Sequence, residues 1–322
     1  MFFFKNKKKK AVMGAVENTL WVDQPDAEKV LSERGYEQWL QEQLAFFLEH
    51  GYVILNQEVA PELCDAIVKD AHAVFERPDQ FIVRKLGKYF NARGLEGQLT
   101  TGDRIIDLYG CSANARSAVY TPRVAQFLQA VFQEPALAMQ ELYFEYGSQQ
   151  AMHQDTAYVI SQSPLSLLAT WIALDDIEPG SGELMYYPGS HRFEPFLFNG
   201  ETRGWNKQVH GDEQHGRFLQ QLHDQAAVKG ITKKTFHAKK GDVLIWHADL
   251  AHGGERRVNS STRRSLVTHF APQSIRPKYS EVVGKAYFEY PHPSGHYFTS
   301  RHYQLRDLAN QEVAGVYYNP AL

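Results

Sequence analysis

A chain of 322 residues with 43% hydrophobic, 13% aromatic and 22% charged residues has ample material for a buried core, which excludes a disordered or low-complexity protein. Thirty-four Lys and Arg against 37 Asp and Glu leave a formal charge of -3, so no global basic field points to nucleic acid as a partner. Two cysteines, Cys64 and Cys111, cannot build a disulfide framework and stand in no CxxC or Cys/His cluster, and no apolar run approaches the ~18 to 20 residues of a membrane span, so neither a structural zinc site nor integral membrane association is expected.

The first ten residues hold five lysines, and Phe2, Phe3 and Phe4 precede them, the reverse of the order in a secretory signal. Residues 1–36 read as a partly disordered tail, residues 37–322 as a single domain, and the protein as cytoplasmic. Trp39, Leu40, Leu44, Phe47 and Leu48 recur at helical spacing over 37–49, and Gly51 offers a stop before the β-rich Tyr52, Val53, Ile54 and Leu55. A second helix is expected to start at Pro61 and to end before Pro78. From 81 to 120, glycines scattered among polar residues read as loop with short strands. Thr121 and Pro122 open a third helix over 121–132, with Thr121 as cap.

After that the period changes. Strand-like runs recur at 140–146, 166–174, 183–187, 242–247 and 264–270, bounded by Gly and Pro clusters, which predicts an antiparallel sandwich or barrel flanked by helices. A polar segment, 199–234, interrupts them with a predicted helix over 212–226; its His210, His215 and His223 read as solvated surface. Walker-type loops, Gly-x-Gly-x-x-Gly turns and Gly-x-Ser-x-Gly are absent from the sequence, which disfavours nucleotide-phosphate chemistry and a nucleophile-elbow hydrolase.

The sharpest local feature is His153-Gln154-Asp155: residues i and i+2 of an extended segment point the same way and can offer an imidazole nitrogen and a carboxylate oxygen to one ion. His-x-Asp alone arises easily by chance. About a hundred residues later His252 follows the strand 242–247, with His247 on the strand itself reading as core or as a support of the site. Two histidines and one carboxylate on one face of an octahedron leave three positions open, which suits Fe(II), dioxygen and a 2-oxo acid chelating through its keto oxygen and carboxylate. Eleven residues on, an inward Arg263 could bind the far carboxylate of 2-oxoglutarate, with Ser265 on the same face and Arg264 facing out.

In order, His153-Gln154-Asp155, Trp171 to Asp176, Gly182-Glu183-Leu184, Pro188 to Arg192, His252-Gly253 and Arg263 resemble the motifs of the phytanoyl-CoA dioxygenase family of Fe(II)/2-oxoglutarate oxygenases. The entry Phe47 to Leu55 is similar to that family's N-terminal start, and the likeness covers roughly residues 40–272. The resemblance implies a mainly β fold with flanking helices, a double-stranded β-helix or jelly roll of cupin type, with its core at about 135–272, a helical insert at about 199–234 and a C-terminal extension at 273–322. It implies His153, Asp155 and His252 as metal ligands, Arg263 as anchor of 2-oxoglutarate and Trp171 as a wall of its pocket, with dioxygen as the second cosubstrate. Halogenating members lack the carboxylate ligand, so Asp155 favours hydroxylation of an unactivated C–H, with release of succinate and CO2; desaturation or ring closure would use the same residues.

Gln150 and Tyr158 are candidate substrate contacts. Arg84, Lys85, Lys88, Arg93 and Arg104 would suit an anionic small molecule, although a solvated basic face explains them too. His191 and Arg192 read as structural or rim residues, and the aromatic, histidine-rich stretch after 286 as either a lid or packing against the barrel. Two competing readings are a non-catalytic metal- or sugar-binding jelly roll and a zinc hydrolase using the same triad. Neither needs a dicarboxylate anchor. Oligomeric state is not readable from the sequence.

Overall fold

The computed structural model describes residues 19–95, 97–159, 163, 165–278, 287–307 and 312–316. In chain order its helices and strands are α1 (Ala27–Glu33), α2 (Gln38–His50), β1 (Tyr52–Leu55), α3 (Pro61–His72), β2 (Ile82–Lys85), β3 (Lys88–Asn91), β4 (Arg104–Ile106), α4 (Ala113–Val119), α5 (Pro122–Phe132) and β5 (Ala136–Phe144). There follow β6 (Leu168–Ala173), β7 (Leu184–Tyr186), α6 (Lys207–Val228), β8 (Lys234–Phe236), β9 (Val243–His247), β10 (His252–Gly254), β11 (Ser265–Pro272) and the short strands β12 (Tyr290–Pro291), β13 (Tyr297–Phe298), β14 (Tyr303–Asp307) and β15 (Glu312–Val316).

The large sheet runs β1-β9-β6-β11-β5-β4-β2-β3, every neighbouring pair antiparallel. Facing it is the small sheet β10-β7-β8, which a bridge between His153 and His252 extends by one chain crossing. Strand alternation divides the residues between two layers. Phe144, Trp171, Leu244 and Trp246 point inward against Leu184, Tyr186 and Phe236 of the small sheet. Val53, Ile172, Ile245 and Leu266 point outward into the helical layer, where Leu44, Phe47, Ile67 and Phe127 meet them. The Phe47 and Phe127 rings meet edge to face at 5.3 Å, and burying each contributes about 2 to 3 kcal/mol. This is a jelly roll with helices on one face.

Gly51 ends α2 in the left-handed region, φ 77°, and a Cβ there would sit 2.4 Å from His191 Nδ1, so both the turn and the close approach require glycine. α3 stops at His72, short of Pro78, because Val74, Phe75 and Glu76 tighten into i→i−3 bonds. The stretch 81–120 holds three strands of three or four residues and a helix, α4, capped by the Ser112 hydroxyl at 2.9 Å from the Ala115 N–H. Thr121 stands at the N-cap of α5, yet its hydroxyl makes no capping bond. The helix of the insert is longer than the 212–226 expected, starts from an Asn206 cap and is interrupted by Gly211 at φ 67°.

The tail expectation fails for residues 19–36. Leu20 and Leu31 join the core, and Asp23 reaches 3.0 Å from Nε2 of the buried His247, so the folded unit begins before residue 37. The lysine-rich start lies outside the described residues. In the C-terminal extension, β13 pairs in parallel with β5, Tyr290 and Phe298 enter the core, and His296 stacks on Tyr120, so the described part packs against the barrel exterior. Among the described residues no helix is long and apolar enough to cross a membrane.

Candidate metal centre

His153 and His252 exchange both backbone hydrogen bonds, at 2.8 and 2.9 Å, which sets their side chains on one side of the small sheet with ring centroids 4.4 Å apart. Such close backbones leave no room beyond His252: a Cβ on Gly253 would lie 2.7 Å from the Gln150 carbonyl oxygen. Asp155 opens a single tight turn and ties its N–H to the Ala248 carbonyl at 2.9 Å. Its Oδ1 lies 3.7 Å from Nε2 of His153 and 3.7 Å from Nε2 of His252, and one ligand atom from each residue falls within 4.8 Å of the others.

Both Nδ1 atoms face carbonyl oxygens, which only accept: His153 donates to Ala151 at 2.8 Å and His252 to Leu250 at 2.9 Å. That fixes the tautomer and leaves each Nε2 with its lone pair toward the shared point. Asp155 Oδ2 accepts from Trp246 Nε1 at 2.9 Å and lies 3.6 Å from His269 Nε2, so Oδ1 is the free oxygen. Burial, with His252 alongside, lowers the His153 imidazole to about 3. Burial pushes the Asp155 carboxyl up, but His252, His269 and His153 outweigh it and hold it below the ordinary carboxylate range. A neutral His153 imidazole and an ionised carboxylate are protonation states that a divalent ion requires.

The triad opens on a small cavity of about 70 Å³ between the sheets. Arg263 lies at its other end, 2% exposed, with one guanidinium N–H donating to the Ser265 hydroxyl at 3.2 Å and the plane 5.1 Å over the Trp171 ring. Its Nε, and the Trp171 indole N–H, are buried without hydrogen-bond partners; among the described residues no carboxylate comes within ion-pair distance, and Glu183 acts on it from further off. Burial pushes this guanidinium down to about 10. Arg264 faces away and pairs with Glu145 at 2.9 Å and Asp175 at 3.6 Å.

The expected ligand set and cosubstrate residues thus converge, and Gln150 lines the same cavity, its Oε1 accepting from Arg104 at 3.2 Å. Tyr158 does not line that cavity. It lies edge-on to the His153 ring at 5.3 Å and bonds His215 of α6 at 2.5 Å, because the turn after Asp155 carries it toward the insert. His215 in turn stacks on Trp205 and His210 on Phe198, so these two histidines pack against aromatics where solvated surface was expected. His191 donates to the Leu48 carbonyl, a structural role. Sequence reasoning missed Trp246 and His269, and named Arg104 only within a basic segment; the i+2 rule that pairs Ser265 with Arg263 also brings Val267 and His269 to the cavity. A larger cavity, about 460 Å³, lies behind His247, where Asp23, Glu28, Arg192 and Arg203 mix charges without converging.

The model of the phytanoyl-CoA dioxygenase family matches residues 47–265, more than half of the chain. The chain belongs to the phytanoyl-CoA dioxygenase family. Peroxisomal phytanoyl-CoA dioxygenase of Bos taurus is 25% identical over 139 residues, covering 42% of this chain and 37% of that protein. The phytanoyl-CoA dioxygenase domain-containing protein 1 of Danio rerio is 20% identical over 289 residues, 77% of this chain and 95% of that one. The matches to the Bos taurus protein and to the mouse and rat domain-containing proteins span 37%, 51% and 51% of those relatives' lengths, about half or less. Among solved structures, the epimerase SnoN, in complex with Fe3+, alpha ketoglutarate and nogalamycin RO, aligns with a TM-score of 0.56 at 16% identity over 81% of this chain and 98% of its own. EctD from S. alaskensis aligns with a TM-score of 0.53 at 21% identity over 76% and 81%. At these identities the structures establish the shared jelly-roll fold.

Proposed function

We propose that this family member is an Fe(II)- and 2-oxoglutarate-dependent dioxygenase that hydroxylates an unactivated C–H of a small-molecule metabolite, releasing succinate and CO2. The observation that carries it is the pairing, in one cavity, of a three-donor metal site with a buried guanidinium that makes no ion pair among the described residues. The donors fit iron: two imidazoles and one carboxylate on one side leave the cavity side open for further ligands. Iron(II) and 2-oxoglutarate, when bound, supply the oxidising power from dioxygen.

The chain's own residues do the rest. His153, Asp155 and His252 hold the metal, while Trp246 fixes which Asp155 oxygen is offered. Arg263 and Ser265 bind the far carboxylate of 2-oxoglutarate and so set its reach toward the metal, and Trp171 forms the wall beneath. Leu142, Phe144, Leu184 and Val267 make the apolar lining that keeps water from the reacting centre. Residues acting as a general acid or base are not required.

The test is an anaerobic optical titration of metal-free protein with Fe(II) and then 2-oxoglutarate, with Asp155→Ala alongside. A metal-to-ligand charge-transfer band saturating near one equivalent in the wild type, and missing in the variant, is the expected result. Folded, metal-bound protein without the band would overturn the proposal and return the choice to a zinc hydrolase or a binding jelly roll.

A further inference from the structure

Antiparallel register places Arg84 of β2 directly opposite Arg104 of β4 and, on its other side, opposite Tyr89 of β3. Ile82 and Ile106, the pair two positions along, belong to the inner apolar layer, so by alternation the two arginines face the same side of the sheet as the metal cavity. Phe144 completes the row. The Arg104 guanidinium stands 5.2 Å over the Phe144 ring and that of Arg84 stands 5.4 Å over Tyr89, giving an aromatic, two cations and an aromatic across four strands.

Like charges directly opposite each other on a sheet oppose folding. Here nothing described neutralises them: among the described residues neither arginine has an acidic partner, and the Nε atoms of both are buried and unbonded. The nearby acid, Asp103, is taken by Lys85 at 3.5 Å and by the Thr100 N–H and hydroxyl at 2.8 and 2.7 Å. Burial and the proximity of Arg84 push Arg104 down to about 10, the direction expected of a cation that lacks a counter-ion. Arg104 and Ser148 line the metal cavity and also an adjoining groove of about 300 Å³ that Arg84, Lys85 and Thr101 help to form, so the two spaces share a wall.

We propose that Arg84 and Arg104 are a substrate-binding pair that grips an anionic group, a phosphoryl or carboxylate, and thereby presents the rest of an anionic substrate to the metal. This rests on the oxygenase reading. Two adjacent guanidiniums offer parallel N–H donors to the oxygens of one anion, and the flanking rings hold both in place before it arrives. The site is distinct from Arg263, which keeps its own serine partner on β11.

The experiment titrates inorganic phosphate, pyrophosphate and malonate calorimetrically into Fe(II)- and 2-oxoglutarate-loaded protein under anaerobic conditions. Wild type is compared with Arg84→Met, Arg84→Lys and Arg263→Met, with 2-oxoglutarate binding followed by the charge-transfer band. The expected result is anion binding weakened at least tenfold in Arg84→Met, partly restored in Arg84→Lys, and kept in Arg263→Met, with the 2-oxoglutarate titration of Arg84→Met unchanged. Preference for the phosphates or for malonate identifies the group. A thermal scan without anions should show Arg84→Met at least as stable as wild type, since a repulsion is removed, and only wild type should gain stability from phosphate. Equal anion affinity in wild type and Arg84→Met would overturn the proposal. So would a loss of 2-oxoglutarate affinity in Arg84→Met as large as the loss of phosphate affinity, which would give the pair to the cosubstrate. Arg84-dependent phosphate binding without any charge-transfer band in wild type would uphold the anion site and bring down the oxygenase reading alone.

Discussion

The two ends of the cavity differ in how completely folding satisfies them. At the metal end each Nδ1 of His153 and His252 has a carbonyl acceptor, and one Asp155 oxygen has the Trp246 N–H, so the uncommitted atoms are those that converge on one point. At the arginine end the surplus lies in donors: the Nε atoms of Arg263 and Arg104 and the Trp171 N–H are buried without partners, as is the Nε of Arg84 in the adjoining groove. Buried polar groups are ordinarily paired, because leaving one unpaired costs about 1 to 3 kcal/mol. A lone-pair surplus at one end and an N–H surplus at the other is what a cation and an anion bound together would complete.

Removing the cation site should give the largest effect. Asp155→Ala and His252→Ala are expected to bring iron-dependent succinate release to background with an unchanged circular dichroism spectrum, since the backbone bonds between His153 and His252 survive and the side chain adds its bond to Leu250, about 1 kcal/mol, and ring contacts with Trp246 and His153. Full turnover in His252→Ala would take His252 out of the metal set. Next comes the anion end. Arg263→Ala should raise the 2-oxoglutarate requirement roughly a hundredfold, about 3 kcal/mol, while Fe(II) affinity measured without cosubstrate stays put. An unmoved requirement would mean that the anchor lies elsewhere, and Arg264, bound to Glu145 and Asp175, is not free to replace it.

Trp246→Phe sharpens the comparison, because it keeps the ring in the inner layer and removes the one N–H that commits Asp155 Oδ2. Metal affinity should fall about 10- to 100-fold, the usual cost of losing a group that orients a ligand, with the 2-oxoglutarate requirement of the metal-saturated enzyme unchanged. Competition against a calibrated chelator reads this directly. If affinity does not move, His269, 3.6 Å from the same oxygen, is holding the carboxylate by itself.

Strand period and local motif made one half of this site readable in sequence. Asp155 is two residues from His153 and both line one cavity, while Ser265, two from Arg263, accepts its N–H at 3.2 Å, as that spacing requires. What sequence could not place depends on register between distant strands. Trp246 reaches Asp155 only because β9 pairs with β6 in one phase, and Arg84 meets Arg104 only because β2 and β4 align residue for residue. Strands of three or four residues carry too little alternation to be given bounds, so 81–120 reads as loop with short strands without placing β2, β3 and β4. Residues 19–36 were misread as tail for a related reason: a seven-residue helix such as α1 holds only two buried positions, Ala27 and Leu31, too few to show a stripe.

Tyr158 gives the smallest expected effect and the finest division. Its ring touches His153, at the metal end, while its hydroxyl belongs to the insert through His215, which is itself stacked on Trp205. Tyr158→Phe keeps the ring contact and deletes the bond, so stability should fall by about 1 kcal/mol, seen as a lower denaturation midpoint, while metal affinity stays within about twofold. His153 is oriented by Ala151 and by its backbone exchange with His252, neither of which the substitution touches. A drop in metal affinity as large as that of Trp246→Phe would mean that the hydroxyl, by holding the ring edge against His153, orients the ligand as Trp246 does. Helix α6 would then belong to the metal end of the cavity, and its removal would weaken iron as well as loosen the insert.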